Sequence, residues 1–92
     1  DYYEQLQARW TNAIDMIKKV FTKRKLMIAG DFVMEIIRLS FQAWASDLHF
    51  QPEEKWVVMR LRIDWVLHNI LTFTHKDFYP YGKKIKFIAG TK

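Results

Sequence analysis

Ninety-two residues confine this chain to one domain, and a domain of that size buries about two thirds or less of the surface its unfolded chain exposes. Half of the residues are hydrophobic and 16% are aromatic, which supplies a packed core and excludes a disordered chain. With no cysteine, a disulfide framework and a thiolate metal site are excluded, and a reducing compartment is compatible. The net charge of +5 favours an anionic partner without choosing among nucleic acid, nucleotide, anionic lipid and an acidic protein face. No apolar run approaches the roughly 20 residues that cross a bilayer, and the opening DYYEQLQARW lacks the regions of a signal peptide. The chain is therefore expected to be soluble and to be cut from something longer.

From Tyr3 to about Thr22, Leu6, Trp10, Ile14, Ile17 and Phe21 recur at steps of three or four, the spacing of one helix face. Lys18 to Lys25 forms a basic patch where cations suit the helix dipole, either as a solvated helix end or as a contact for nucleic acid or lipid. Gly30 and Asp31 are expected to break the chain and cap a second helix, with Val33, Ile36, Ile37, Ser40, Phe41 and Trp44 on its inner face. Phe32, Met34 and Leu39 make that helix apolar on nearly every side, so it is expected to be central or covered by another subunit.

Ser46 and Asp47 are expected to end the helix, and Leu48–Gln51 reads as a short strand with Leu48 and Phe50 inward. Pro52 to Lys55 forms a charged turn, after which Trp56 to Ile63 alternates strictly. Val57, Met59, Leu61 and Ile63 point one way; Val58, Arg60, Arg62 and Asp64 point the other. A third extended run, Val66 to Phe73, places Leu67, Leu71 and Phe73 on one side and Val66 and Ile70 on the other, a pattern suited to burial on both faces. Asp77 is expected to cap a last helix beginning near Pro80, with Ile85, Phe87, Ile88 and Ala89 apolar, Lys83, Lys84 and Lys86 basic, and Gly90 as its stop. The expected fold class is α+β, a small three-stranded antiparallel sheet packed against helices.

Arg60 and Arg62 carry the sharpest chemical signal. Residues two apart on a strand lie about 6.5 to 7 Å apart on one face, so both guanidinium groups can reach one phosphate. The competing reading is a solvated charge ladder that Asp64 partly neutralises. Asp47 and His49 share a strand face, but a metal needs three or four convergent ligands, so a hydrogen-bonded Asp and His pair is the expected arrangement and no metal is assigned. No serine or threonine sits in a nucleophile elbow or triad pattern. Gly30, Gly82 and Gly90 are isolated and form no P-loop, so no catalytic residue and no cofactor are expected within the chain itself.

From Ala45 onward, ASDLHFQP followed by VMRLRIDWVL resembles the ASD-I/L-H-x-EP and R-x-R-I/V-DG-x-L signature of the traffic ATPases of type II secretion and type IV pilus assembly. DFVMEIIRLSFQAW is similar to the helix before that signature, and KKIKFIAG to the family's RIKILAG helix, so the likeness spans roughly residues 31–90. Residues 1–30, read as an N-terminal helix and linker, are not clearly covered by the likeness; the resemblance implies 31–92 as a truncated part of a PAS-like second N-terminal domain. In that family this domain precedes a RecA-like ATPase domain, and its arginines reach the nucleotide. The R-x-R pair corresponds to Arg60 and Arg62, and Ser46, Asp47, His49, Pro52 and Asp64 match the structural positions of the signature. The fragment is then non-catalytic; ATP and Mg belong to the parent protein. The implied partners are the RecA-like domain, sister subunits of a homo-hexamer and inner-membrane platform proteins, and the implied location is cytoplasmic, at the inner face of the bacterial inner membrane. No nucleic acid is expected under this reading; the alternative from the residues is a small basic nucleic-acid-binding or PAS-like interaction module.

The chain departs from the signature at three places: Gln51 stands for the glutamate before proline, Trp65 for the glycine after aspartate, and His68 for an arginine. Trp65 matters most, because glycine permits a tight backbone that a large aromatic residue resists. These changes mark a divergent member or one whose arginine contact has weakened.

Overall fold

The computed structural model describes the backbone of residues 1–89 and the side chains of residues 1–85. Two helices, α1 (Tyr2–Thr22) and α2 (Ala29–Gln42), are joined by a short 3-10 turn at Arg24–Leu26. Three strands follow, β1 (Asp47–Pro52), β2 (Trp56–Ile63) and β3 (Val66–Thr74), and then α3 (His75–Ala89). The strands form an antiparallel sheet in the order β1-β2-β3, with the helices on one face. The α+β expectation holds. Among the described residues no helix is long and apolar enough to cross a membrane.

Local chemistry accounts for most boundaries. Asp1 caps α1 by accepting from the Glu4 N–H at 2.8 Å, and Glu4 reaches back to complete a capping box. Ala13, Ile14 and Ile17 of this helix enter the same core as α2 and the sheet. The α2 helix starts at Ala29, so Gly30 and Asp31 lie inside its first turn and do not break the chain. No side chain caps it, and Asp31 complements the helix dipole from within.

The buried face of α2 keeps Val33, Ile36 and Ser40 of the face expected from periodicity, but Phe32, Leu39 and the capping Ala43 complete it in place of Ile37, Phe41 and Trp44. Phe41 is 74% exposed and Trp44 61%. A helix apolar all round offers several faces of similar hydrophobicity, and contact with α1 and α3 selects one. Its end also lies earlier than expected, at Gln42. The Ala45 N–H bonds to the Ser40 carbonyl at 3.2 Å and the Trp44 N–H to that of Phe41 at 3.0 Å, a Schellman cap. Trp44, at φ 61, occupies the left-handed position that glycine normally fills.

Between β1 and β2 the Glu53 N–H donates to the Trp56 carbonyl at 2.7 Å, so the loop is the residue pair Glu54 and Lys55. That loop fixes the register: Asp47 lies opposite Arg62, His49 opposite Arg60 and Phe50 opposite Met59. On β3 the alternation is interrupted. Met59 lies opposite Leu71 but Arg60 opposite Asn69, leaving Ile70 as the extra residue of a bulge. Leu71 and Phe73 therefore face the helices, whereas Leu67, expected beside them, pairs with Arg62 on the opposite face. Val66 and Leu67 are exposed, so the N-terminal end of β3 is not buried on both faces.

The α3 helix begins at His75, not near Pro80. Thr74 caps it, its Oγ1 accepting from the Asp77 N–H at 3.0 Å. Pro80 sits within the helix. Ile85 packs against the core; Lys86, Phe87, Ile88, Ala89 and the expected stop at Gly90 lie outside the residues whose side chains are described.

At the centre is Phe73. It is 1% exposed, and its ring lies 5.1 Å from Phe21, 5.3 Å from Phe78, 6.0 Å from Tyr81, and 6.4 Å from both Phe32 and Phe50. Phe73→Ala is expected to cost about 3 to 5 kcal/mol, enough to threaten folding of so small a domain. Urea unfolding measures the loss, and a cost under about 1 kcal/mol would contradict this packing.

Candidate functional site

The uncovered face of the sheet is built in cross-strand rows. Asp47, Arg62 and Leu67 form one row, His49, Arg60 and Asn69 the next, and Gln51, Val58 and Thr72 a third. The hairpin loops fix this order and the pleat alternates it away from the helices. Arg60 and Arg62 are therefore neighbours on one face, as their spacing predicts.

Neither arginine is free. The Arg62 Nε donates to the Asp47 Oδ2 at 2.9 Å, and the Arg60 terminal nitrogen lies 3.8 Å from the Glu53 Oε2. Asp64, expected to neutralise the pair, sits instead in the β2–β3 turn at φ 51, beyond the end of the strand. Asp47 bonds to Arg62 and not to His49, so the expected Asp and His pair is not formed; His49 lies exposed beside Arg60. Arg60 is ion-paired but donates no hydrogen bond, because 3.8 Å is beyond hydrogen-bond distance. Its side chain is 27% exposed, while its Nε is fully buried without a hydrogen-bond partner.

The other signature residues hold the frame. The Ser46 N–H and hydroxyl both donate to the Arg62 carbonyl, at 2.9 and 3.4 Å. Pro52 closes β1, and the Gln51 amide nitrogen donates to its carbonyl at 3.3 Å. His75 Nε2 lies 2.6 Å from the Glu53 carbonyl oxygen, fastening the loop that carries the carboxylate facing Arg60. His68 is on the helix side, its ring 5.3 Å from that of Trp10, and so stands away from the arginine face.

Asp64 and Trp65, at φ 51 and 69, form the two central residues of a type I′ turn between Ile63 and Val66. The tryptophan takes the glycine-type conformation and the turn closes around it. Its side chain is 91% exposed, so packing within this chain does not compensate the strained backbone.

At the opposite end of the strands, two residues of the basic patch, Arg24 and Lys25, form an internal clasp, while Lys18, Lys19 and Lys23 stay exposed to solvent. The Arg24 Nε lies 3.0 Å and its terminal nitrogen 2.8 Å from the Asp77 Oδ2, and Lys25 reaches the other carboxylate oxygen at 3.2 Å. Arg24 also stacks over Phe21 at 3.9 Å from the ring centroid. Burial pushes the Asp77 carboxyl upward, but hydrogen bonds and charges from Arg24 and Lys25 together outweigh it and hold it below its usual value. Burial raises the Tyr81 phenol above its usual range, and the Asp77 charge adds to this. Arg24 and Lys25 are thus already committed to a carboxylate.

Among the described residues, no three His, Asp or Glu side chains converge as a metal site. Comparisons with protein-family models, curated proteins and solved structures returned no match.

Trp65→Gly relieves a left-handed backbone cost of about 1 to 2 kcal/mol, offset by glycine's unfolded-state entropy of about 0.5 to 1 kcal/mol. A rise in melting temperature of a few degrees is expected. An unchanged or lower value would mean that the indole makes stabilising contacts. Asp77→Asn is expected to cost about 1 to 3 kcal/mol near pH 7, because Arg24 loses a charged partner at a largely buried position. Asp77 is depressed in the folded state, so its contribution is full above the unfolded value near 3.8 and is lost as pH falls through the folded value. Urea titrations between pH 7 and pH 3 should therefore show the wild-type advantage shrinking only below about pH 4; a gap that already closes by pH 6 would refute the clasp.

Proposed function

We propose that this chain is part of the second N-terminal domain of a type II secretion or type IV pilus assembly ATPase. It is non-catalytic itself and offers Arg60 and Arg62 to the nucleotide bound by a RecA-like domain of the same hexameric motor, at the cytoplasmic side of the inner membrane. One observation carries the reading: two arginines stand side by side on the uncovered sheet face, and one keeps a buried Nε with no partner. The ordered likeness of residues 31–90 to the family signature supports it independently.

The chemistry follows from the charge pairs. Asp47 and Glu53 hold the arginines extended and partly neutralised when no phosphate is near. An approaching phosphate carries more charge than a carboxylate and accepts from two guanidinium groups at once, so it displaces both. ATP and Mg, held by the other domain, would supply the transferring phosphoryl group; these arginines would stabilise the charge developing on it and tie turnover to domain closure. The Trp65 turn does not disturb this geometry, because the turn lies beyond the arginine rows.

In the intact parent protein, Arg60→Ala and Arg62→Ala are each expected to lower ATP turnover by about tenfold or more, while the melting temperature changes little. Steady-state ATPase assays with a parallel thermal melt make the measurement. Wild-type turnover in both variants would reduce the pair to a structural charge ladder.

A further inference from the structure

We propose that β1 is a self-association edge: two copies of this chain pair through it, antiparallel, about a two-fold axis at His49. Their sheets become continuous, with three strands from each copy. The inference does not depend on the motor reading.

The edge is open over its central residues. In an antiparallel ladder the backbone groups of successive residues point alternately to the two sides of the strand. The Glu53 to Trp56 hydrogen bond sets the phase, so Asp47, His49 and Gln51 bond toward β2 while the N–H and C=O groups of Leu48 and Phe50 point outward. Among the described residues no backbone group meets them. Exposed edges are ordinarily blunted by charged residues, lysine above all, by proline, by a bulge or by a covering element. The other edge strand, β3, has the bulge at Ile70 and α1 against it. By contrast β1 is regular and has no lysine, and its two blunting residues, Asp47 and Pro52, stand at its ends and leave Leu48 to Gln51 between them clear.

The occupant follows from self-complementarity. Placing His49 opposite His49 of the second copy puts Leu48 opposite Phe50 and Phe50 opposite Leu48, and each of these pairs exchanges two hydrogen bonds. Every outward group of those residues is then satisfied. The next pair would be Pro52 opposite Ser46; proline has no N–H, and the Ser46 N–H is already given to Arg62, so the ladder stops where the edge stops. Side chains agree with the same register. On the uncovered face the Asp47 carboxylate meets the Gln51 amide of the second copy, an acceptor against a donor. On the helix side Leu48 borders an apolar cavity of about 300 Å³ with Ile37, Phe41 and Ala45, and Phe50 of the second copy lies directly across from it. Phe41, exposed in the monomer, flanks this junction.

Sedimentation velocity from about 10 µM to 1 mM is expected to show a mass rising toward twice that of the chain, the behaviour of a small, weak interface. Amide exchange at Leu48 and Phe50 should slow over the same range in the unmodified protein. His49→Glu sets two like charges opposite each other across the axis while facing Arg60 within its own copy. It is expected to weaken the dimer at least about tenfold without lowering the melting temperature. The chain has no cysteine, so His49→Cys introduces a unique thiol. In a non-hydrogen-bonded pair the two Cα atoms stand about 4.5 Å apart, within disulfide range, so oxidation should link the copies. Gln51→Cys serves as the register control, its two copies standing about 13 Å apart. A monomer throughout the range with concentration-independent exchange, equal cross-linking at both positions, or a dimer indifferent to His49→Glu would each overturn the proposal.

Discussion

The aromatic cluster around Phe73 is the contact on which the remaining architecture depends. Phe73 lies on the last strand, yet its ring meets side chains from α1, α2, β1 and α3. A small domain has few fully buried positions, and concentrating large rings at one of them gives more buried apolar area per residue than aliphatic packing does. Edge-to-face geometry at Phe21 and Phe78 also fixes the angles at which the helices meet the sheet. With the helices gathered over that face, the opposite face is left open. The arginines occupy it because they alternate with the core residues Met59, Leu61 and Ile63.

That open face carries its own ion pairs. Asp47 and Glu53, one at the start of β1 and one just past its end, each engage an arginine. Exposed pairs of this kind contribute little to stability, at most about 1 kcal/mol, and for the same reason they are easily exchanged for a better anion. The clasp on Asp77 differs in kind, since its Arg24 pair is largely buried, with Lys25 reaching in from the surface, and it joins the turn after α1 to the start of α3. One set of charges holds the fold together while the other remains exchangeable.

Two tryptophans occupy backbone positions that favour glycine: Trp44 in the cap of α2 and Trp65 in the β2–β3 turn. Both are exposed, and Arg9 stacks over Trp44 at 4.8 Å. Hydrogen bonds of the cap and pairing of the flanking strands impose the left-handed conformation regardless of the side chain, so the cost falls on stability and not on topology.

Sequence periodicity alone determined α1, the strict alternation of β2, the three-stranded α+β class and the shared face of Arg60 and Arg62, because a helix period and a strand period are intrinsic to the backbone. The carboxylates facing the arginines were legible in principle: a two-residue loop at Glu54 and Lys55 places Asp47 opposite Arg62. Only the tertiary structure decided which face of α2 is buried, that Asp77 serves Arg24 instead of capping a helix, and that Ile70 bulges to turn Leu67 outward. Each of these depends on what a residue meets across the chain. Local pattern sets the elements, but an apolar helix with several equivalent faces and a carboxylate with several possible partners are settled by packing, which no local spacing encodes.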